Sequence, residues 1–586
     1  MKSLSRLLPY LKKYRRTLLY GLLTVVCSNI FTVLQPRIVG AAIDKLKTGI
    51  EMKAIDEGGL LMYAGLIVGL SLLAGFLTFL TRQTIIVVSR HIEFDLRNDF
   101  LAHIQKLSLS YYQNTPTGDL MAHATNDIGA VRNVVGPGIM YPTDTLMTFT
   151  MVLAMMLWSD WKLTLLSLIP LPFVSVAVYL LGRAVHRRFE EKQQQFSALT
   201  MRAQENLSGI RIVKAYVREQ YEIARFHSLS WEYLKKNLIL ARVQSIMWPL
   251  MFLLVGCSLV VVVYYGGLQV IDGAISIGTL TAFFGYLLML IWPMIAFGWV
   301  TNIVQQGAAS MARLGRIFDI EPEIQDTAET EYSIQALSGN IEIRNASFTH
   351  KNASAPSLRN INLRIPSGTT LAIVGYTGSG KSTLVNLIPR LYDVTEGVVL
   401  LDGTDIKKIP VGILRSNIGY VPQETFLFSD TLAENISYGI DNGTHEHVAQ
   451  AAEISQIAKD VEEFPKTYST MIGERGITLS GGQKQRTSIA RAVIRNPKIL
   501  ILDDALSAVD TYTEEEILKR LRKIMKDRTS IIISHRISTV KDADMIVVLD
   551  GGRIAEQGTH EELVAFGGIY AELYQKQLLE EELEHL

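Results

Sequence analysis

The first 320 residues contain roughly six apolar stretches, and these stretches restrict the fold of the chain more than any other feature. A helix needs about 20 residues to cross the roughly 30 Å of hydrocarbon in a bilayer, and each stretch reaches that length. We therefore predict a helical membrane domain with spans near 17–43, 59–88, 137–159, 161–182, 246–268 and 278–304. A hydrophobic content of 48% over 586 residues agrees with a membrane protein of at least two domains.

The segments that flank the spans predict the orientation of the chain. Before the first span, leucines at helical spacing precede a basic run, which is typical of a helix in the membrane interface and not of a cleaved signal. About twelve Lys and Arg lie in 183–245, whereas 269–277 carries none. With six spans, both termini and the C-terminal domain are expected inside. The inner segments 90–135 and 183–245 have helical periodicity and are expected to extend beyond the membrane.

The charge balance and the cysteine content exclude several classes of site. Acidic and basic side chains number 57 each, so the chain offers no global attraction to nucleic acid. The two cysteines, Cys27 and Cys257, lie in apolar stretches, where a thiol behaves as a small apolar group. We expect no nucleic-acid partner, no disulfide framework and no zinc site.

Three phosphate-handling motifs follow one another in the C-terminal half. The first is a P-loop pattern that comes after the apolar run 371–374 and opens onto a helical pattern, so that glycines let backbone N–H groups approach phosphate. The second is the run 479–483, and the third is an apolar strand that ends in Asp503 and Asp504. The predicted nucleotide-binding residues of the P-loop are Gly375, Tyr376, Thr377, Gly378, Ser379, Gly380, Lys381, Ser382 and Thr383.

Together these motifs resemble those of ABC transporters, and the whole chain resembles a half-transporter of the multidrug-exporter type. The resemblance implies an α-helical six-span transmembrane domain at 1–320, a linker at 321–340 and an α/β P-loop NTPase domain at 341–586. It implies ATP and Mg²⁺ as cofactors and ATP hydrolysis coupled to transport. It also implies an amphiphilic small-molecule substrate and a location in the cell membrane, inner or plasma, with the ATPase domain in the cytoplasm.

The resemblance assigns roles within the ATP site. Asp503 matches the carboxylate that holds Mg²⁺ together with Ser382 and Gln423, and Lys381 is expected to reach the β- and γ-phosphates. Asp504 stands at the general-base position, where members that hydrolyse briskly carry Glu. Its side chain is one methylene shorter, and a misplacement of about 1 Å can cost on the order of a hundredfold in rate. The alternative is that the backbone or an extra water compensates.

Further positions match the family one by one. Gln423 matches the loop that senses γ-phosphate, His535 matches the switch histidine, and His350 occupies the place of an aromatic residue that stacks on adenine. The D-loop residues are Ser507 and Asp510, and the signature, expected to complete the ATP site of the partner, is Leu479, Ser480, Gly481, Gly482 and Gln483. The residues expected to couple the inner helices to the ATPase domain are Asp119, Asp127, Arg211, Tyr216 and Glu474, with ordinary solvated helix as the alternative.

A single ATPase domain implies a dimer, because this family encloses two ATP molecules between two such domains. Asp504 indicates the Asp-bearing subunit of a heterodimer whose distinct partner carries the catalytic Glu. Two alternatives stay open, namely a homodimeric exporter or lipid flippase, and an ATP-binding regulatory membrane subunit.

The sequence indicates little about the substrate beyond amphiphilic drugs or lipids. Spans five and six carry side chains that suit a re-packable cavity, although they fit equally well against lipid or a neighbouring helix: Trp248, Phe283, Phe284, Met289, Trp292, Met294 and Phe297. Asn29 and Asp144 are predicted polar cavity groups, with the membrane interface as the alternative position for Asp144.

Overall fold

The computed structural model describes residues 2–53, 56–473 and 479–584. The chain divides into two compact units. The first comprises the chain up to Ile104 together with Gly118–Asp319, and the second comprises Gln105–Thr117 together with the chain from Ile320 onward. The prediction of a helical unit followed by an α/β unit is confirmed, and the short segment Gln105–Thr117 was not expected in the second unit.

The described chain before residue 320 is helical throughout. A 3-10 helix at Lys2–Leu7 precedes the first α-helix, and π-helical turns interrupt the series at Arg82–Ile86, His123–Asp127 and Val262–Gly266. The α-helices are α1 (Leu8–Lys13), α2 (Arg15–Glu51), α3 (Glu57–Thr81), α4 (Val87–Ile104), α5 (Leu109–Asn114), α6 (Thr117–Ala122), α7 (Ile128–Val135), α8 (Pro137–Ser159), α9 (Trp161–Leu168), α10 (Leu171–Ser208), α11 (Ile210–Ala215), α12 (Glu219–Val261), α13 (Gly267–Ile271), α14 (Ile277–Met289) and α15 (Ile291–Phe318).

Within the described residues, three helical stretches are long and apolar enough to cross a membrane: Arg15–Glu51, Glu57–Ile104 and Ile277–Phe318. Val255–Ile271 is a shorter apolar helical stretch. The other predicted spans fall on α8, on α9 with α10, and on α12, so the count of six stays a prediction. Helices α10 and α12 contain 38 and 43 residues, about twice the length that hydrocarbon requires.

A buried apolar cluster holds the helices of the first unit together. Phe283 and Tyr286 of α14 are its largest members, and both are fully buried. Phe283 therefore packs against neighbouring helices, which was one of the alternatives for these side chains. Trp292, by contrast, is half exposed in the isolated chain. The side chains of Trp248, Met294 and Phe297 lie outside the described residues.

The described residues of the second unit form two sheets, and no helix or strand is present between Asp319 and Asn340. Its strands are β1 (Ile341–Phe348), β2 (Leu358–Ile365), β3 (Thr370–Val374), β4 (Glu396–Leu401), β5 (Thr404–Asp405), β6 (Ile418–Val421), β7 (Ile499–Asp503), β8 (Thr529–Ile533), β9 (Met545–Asp550) and β10 (Arg553–Gly558). Its helices after residue 320 are α16 (Lys381–Leu387), α17 (Val411–Ser416), α18 (Leu432–Ser437), α19 (His445–Ile454), α20 (Ala458–Glu463), α21 (Gly481–Val493), α22 (Thr511–Met525), α23 (Ile537–Val540), α24 (His560–Phe566) and α25 (Ile569–Glu584).

The larger sheet positions the motifs. Its strand order is β10-β9-β3-β8-β7-β6, and every pair is parallel except β9 with β10. Strands β7 and β8 are buried along their whole length because apolar clusters cover both faces of the sheet. The carboxyl ends of β3, β8, β7 and β6 therefore meet at one edge, and each is followed by one of the predicted motifs.

Candidate functional site

The loop between β3 and α16 forms a cradle whose shape requires glycine. Gly375 has φ of 146°, and a Cβ there would lie 2.2 Å from the carbonyl oxygen of Leu549. Gly380 has φ of 99°, and its Cβ would lie 2.9 Å from the carbonyl oxygen of Ser357. The backbone can adopt this path only without side chains at these positions, which leaves its N–H groups free to approach an anion.

The remaining P-loop residues differ in their solvent exposure. Tyr376, Thr377 and Gly378 are exposed, whereas Ser382 and Thr383 are half-buried in the first turn of α16. The Lys381 ammonium is buried and donates to the carbonyl oxygens of Gly375 and Tyr376 at 2.8 and 2.9 Å. Burial lowers the pKa of Lys381, while the carboxylates of Asp503 and Asp504 oppose that shift.

Two buried polar atoms beside this cradle have no hydrogen-bond partner among the described residues. They are Oγ of Ser379 and Oδ1 of Asp503, which ends β7 and is 2% exposed. Burial raises the pKa of Asp503 and the neighbouring Asp504 adds to the shift, while the Ser382 hydroxyl and the Lys381 ammonium oppose it. An unsatisfied buried carboxylate next to a hydroxyl is a donor set that fits Mg²⁺.

Asp504 directly follows β7 and has a constrained backbone. Its φ is 49°, its N–H donates to the carbonyl oxygen of Ile533 at 3.0 Å, and its carbonyl oxygen accepts from the Ser507 hydroxyl at 3.0 Å. The side chain is half-buried. The position of the Cα is thus fixed by contacts on both sides.

Gln423 and His535 follow the two strands next to this carboxylate pair. Gln423 comes two residues after the end of β6, and His535 comes two residues after the end of β8. Both are exposed. The sheet therefore brings the P-loop, His535, the Asp503–Asp504 pair and Gln423 to one edge, in the order β3, β8, β7 and β6.

The signature begins helix α21. Ser480 caps the helix by accepting from the N–H of Gln483 at 3.3 Å, and the Gln483 side chain accepts from the N–H of Ser480 at 3.0 Å. The Gln483 amide also donates to Asp460 at 2.8 Å. Leu479 is buried, whereas Ser480 and Gly481 are exposed. The exposed N-terminus of a 13-residue helix is suited to bind an anion.

The D-loop packs directly on the signature. A Cβ at Gly482 would lie 3.0 Å from the carbonyl oxygen of Ala508. Gln485, which the sequence did not single out, donates to the Ser507 hydroxyl at 3.0 Å and accepts from the N–H of Ala508 at 2.9 Å. Asp510 caps α22, and its hydrogen bonds with Thr513 lower its pKa. Gln485 thus connects two motifs that are separate in sequence.

His350 lies in an aromatic cluster. Its ring meets Phe348 and Tyr392 edge-on at centroid distances of 4.8 and 5.5 Å. Phe348 is buried, and His350 lines a cavity of about 580 Å³. Adenine stacking by His350 stays a prediction.

The four predicted coupling residues of the first unit occupy different environments. Asp119, Arg211 and Tyr216 are exposed. Asp127 is 6% exposed and accepts from Arg313 of α15 and, at 2.6 Å, from His123. Glu474 lies outside the described residues. Their role in coupling stays a prediction.

The segment Gln105–Thr117, which groups with the ATPase unit, was missed by the sequence analysis. Glu323 accepts hydrogen bonds from Ser108 at 2.9 Å and Ser110 at 2.6 Å, and its other oxygen lies 3.2 Å from the Lys351 ammonium. Asn352 donates to Asn114 of α5. The breaker at Pro116 was the one sequence signal that this segment differs from the helices around it.

Family matches cover both units. The ABC transporter transmembrane region matches residues 18–294, and the ABC transporter ATPase family matches residues 358–507. The chain is 38% identical over 577 residues to a probable multidrug resistance ABC transporter ATP-binding/permease protein, YheI of Bacillus subtilis, covering 98% of each chain. It is 35% identical to the multidrug resistance-like ATP-binding protein MdlA of Escherichia coli, covering 100% of this chain and 98% of the relative.

Two further similarities agree with these matches. The ATP-dependent lipid A-core flippase of Syntrophus aciditrophicus is 39% identical over 85% of this chain and 82% of its own. Among solved structures, a bacterial Atm1-family ABC exporter with ATP bound superposes with a TM-score of 0.78 at 28% identity, covering 96% of this chain and 98% of that chain. The chain therefore belongs to the ABC transporter family, as an ABC exporter that joins a helical transmembrane region and a transport-coupled ATPase domain in one polypeptide.

Proposed function

We propose that this exporter moves amphiphilic compounds, drugs or lipids, as one half of a heterodimer in which its own ATP site turns over slowly. Asp504 in the position of a general-base Glu is the observation that carries the proposal. Relatives named for multidrug resistance and for lipid A-core flipping support an amphiphilic substrate. The membrane is the inner or plasma membrane, with the termini and the ATPase domain in the cytoplasm.

In this proposal ATP binds at the sheet edge that carries the P-loop, His535, the Asp503–Asp504 pair and Gln423. The cradle from Gly375 to Gly380 surrounds the phosphates, and Lys381 exchanges its two carbonyl contacts for phosphate oxygens. Ser382, Asp503 and Gln423 would hold Mg²⁺, which would neutralise charge on the β- and γ-phosphate oxygens. His535 would contact the γ-phosphate, and His350 would stack on adenine.

The fixed backbone of Asp504 supports slow turnover. A backbone shift of about 1 Å would be needed to make up for the missing methylene, and that shift would lengthen the bonds to Ile533 and Ser507. Because the carboxylate would sit too far from the attacking water, its general-base contribution of about 10²–10⁴ would be largely lost.

The intact signature supports a productive role for the chain in the partner's site. The Ser480 end of α21 would face the γ-phosphate of ATP bound to a distinct partner that carries the Glu. A homodimeric lipid flippase is the second candidate, favoured by the flippase relatives, and there Asp504 would serve both sites.

The test is ATP-driven uptake of a lipophilic dye into inverted membrane vesicles that contain the assembly. We expect Asp504→Asn to change uptake by less than about twofold, because this site contributes little hydrolysis, and Ser480→Arg to abolish it. Equal loss in both variants would contradict the asymmetric site, and absence of ATP-driven uptake by the unmodified assembly would contradict export of amphiphiles.

A further inference from the structure

Asp144 is the single charged side chain of helix α8. Its Oδ1 accepts from the Asn29 amide of α2 at 2.8 Å, and the Thr148 hydroxyl donates to the oxygen of the same amide. Asn29 is 5% exposed, whereas Asp144 is half-buried. The three side chains form one polar cluster, and all three lie within the matched transmembrane region.

The cluster lies deep along the helices. Asn29 is near the middle of α2, about 20 Å from Arg16 on one side and about 12 Å from Arg37 on the other. An ionised carboxylate at such a depth is unfavourable without a partner, and acids retained there face a cavity or a binding pathway.

No lysine or arginine of the described chain lies within 4 Å of the Asp144 carboxylate. The basic residue of α2 nearest in sequence to Asn29 is Arg37, about 12 Å farther along the helix, and its guanidinium lies 4.5 Å from the centre of the Trp158 ring. Asn29 is a neutral donor that fills one of the roughly four acceptor positions of a carboxylate. The remaining positions suit a positively charged group.

An aromatic pair includes a residue one helical turn before Asp144. Tyr141 precedes Asp144 by three residues and therefore shares its face of α8. The Tyr141 ring meets Trp299 of α15 at a centroid distance of 4.9 Å and an angle of 69°, and Trp299 is 44% exposed. A carboxylate next to aromatic rings is the combination that binds organic cations, through charge and through the ring faces.

We propose that Asp144, held by Asn29 and flanked by Tyr141 and Trp299, is the binding group for the cationic head of a lipophilic cation. The inference rests on the proposed export of amphiphiles and narrows it to substrates that carry a positive charge. The competing explanation is that the Asn29–Asp144 bond only joins α2 to α8. In that case the carboxylate would not distinguish a cation from an anion of the same shape.

The test compares two ions of nearly identical shape, tetraphenylphosphonium and tetraphenylborate, in equilibrium binding to the full assembly in lipid nanodiscs. Binding to empty nanodiscs is subtracted for each ion. We expect the cation to bind at least about tenfold more tightly, from one desolvated charge and its ring contacts. Equal affinities of the unmodified protein would overturn the proposal without any variant.

Variants test whether Asp144 causes the preference for the cation. Asp144→Asn keeps the shape and removes the charge, so the tenfold preference should disappear, whereas Asp144→Glu should retain it. Asp160→Asn is the matched control. Asp160 directly follows α8 and caps the N-terminus of α9 by accepting from the N–H of Leu163. Retention of the preference in Asp144→Asn would also overturn the proposal.

Uptake of an uncharged lipophilic dye separates this inference from the proposed function. Export of the dye without any cation preference would mean that amphiphile export is correct and that Asp144 is only an interhelical link. Failure to export the dye or either ion would reject the proposed function, and the inference with it.

Discussion

At the scale of single residues, Asp503 is buried, with one oxygen unpaired among the described residues. Burial disfavours the ionised form of this carboxylate, and a neutral side chain of the same shape avoids that cost. We therefore predict that Asp503→Asn raises the thermal midpoint of the nucleotide-free ATPase domain, by about 2–4 °C for each kcal/mol recovered. Differential scanning fluorimetry measures this gain, which should vanish in Mg²⁺ and ATP because the variant no longer holds the ion.

The raised pKa of Asp503 sets the pH dependence of this gain. The folded chain binds the proton more tightly, so the contribution of Asp503 to stability is complete below the unfolded-state pKa of about 3.9 and is lost as the pH rises through the raised value. The gain from Asp503→Asn should therefore be largest at neutral pH and shrink toward acidic pH. Asp510→Asn is the control, because the pKa of Asp510 is lowered, so that variant should lose stability at neutral pH instead of gaining it.

A second residue-scale prediction separates two kinds of glycine in the P-loop. Gly375 and Gly378 both have positive φ, at 146° and 83°, but only Gly375 would place a Cβ against the backbone. Gly378→Ala should cost the left-handed penalty of about 1–2 kcal/mol, while Gly375→Ala adds an overpacking cost of about 1–3 kcal/mol. Titration with a fluorescent ATP analogue should show the larger loss of affinity for Gly375→Ala, and equal losses would contradict this ranking.

Residues whose roles depend on a local pattern could be proposed from the sequence. Lys381 follows a strand and a glycine turn, and Asp503 ends an apolar strand, so a linear motif contains their whole context. Gln485 could not be found in this way. Its contacts with Ser507 and Ala508 exist only because α21 packs against the loop after β7, and no spacing in the sequence encodes that packing.

At the scale of elements, Glu323 joins the segment Gln105–Thr117 to the ATPase unit. The hydroxyls of Ser110 and Ser108 and the ammonium of Lys351 lower the pKa of Glu323. The interaction is therefore present above the unfolded-state pKa of about 4.3 and is lost as the pH falls through the lowered value. The carboxylate accepts from two hydroxyls of one short segment, which makes it the main polar anchor of that segment among the described contacts.

We predict that Glu323→Gln speeds hydrogen exchange of the amides of Leu109–Asn114 by roughly tenfold, because a neutral amide is a weaker acceptor for both hydroxyls. Lys351→Ala is the matched control and should change exchange little, since the Lys351–Glu323 pair is exposed and such pairs contribute about 0–1 kcal/mol. Exchange measured by mass spectrometry on the intact assembly distinguishes the two. Unchanged protection in Glu323→Gln would assign the anchoring to apolar contacts instead.

Elements differ in how far the sequence predicts them. The strands before the P-loop and before Asp503 were expected because short apolar runs precede polar motif residues, and both are present as β3 and β7. The grouping of Gln105–Thr117 with the ATPase unit was not expected. Helical periodicity reports which face of a segment is apolar but not which unit that face meets, so a tertiary contact of this kind leaves no local signal.

At the scale of the whole molecule, the chain carries one P-loop and one signature. The residue at the general-base position of its ATP site is Asp504. If two different chains assemble, one ATP site combines Asp504 with the partner's signature and the other combines the partner's Glu with Ser480. The two sites would then differ in rate although each binds nucleotide. A homodimer would instead have two identical sites, and any difference between them would have to arise from a change in conformation.

Native mass spectrometry of the assembly, captured through a tag on this chain from its source membranes, separates these arrangements. We expect one copy of the 65.4 kDa chain with one distinct chain of similar size, because a shortened base is tolerable only where a second site supplies the hydrolysis. Trapping with radiolabelled nucleotide and vanadate should then label the two chains unequally. Two copies of this chain with equal labelling would contradict the heterodimer and would mean that Asp504 is the working base of both sites.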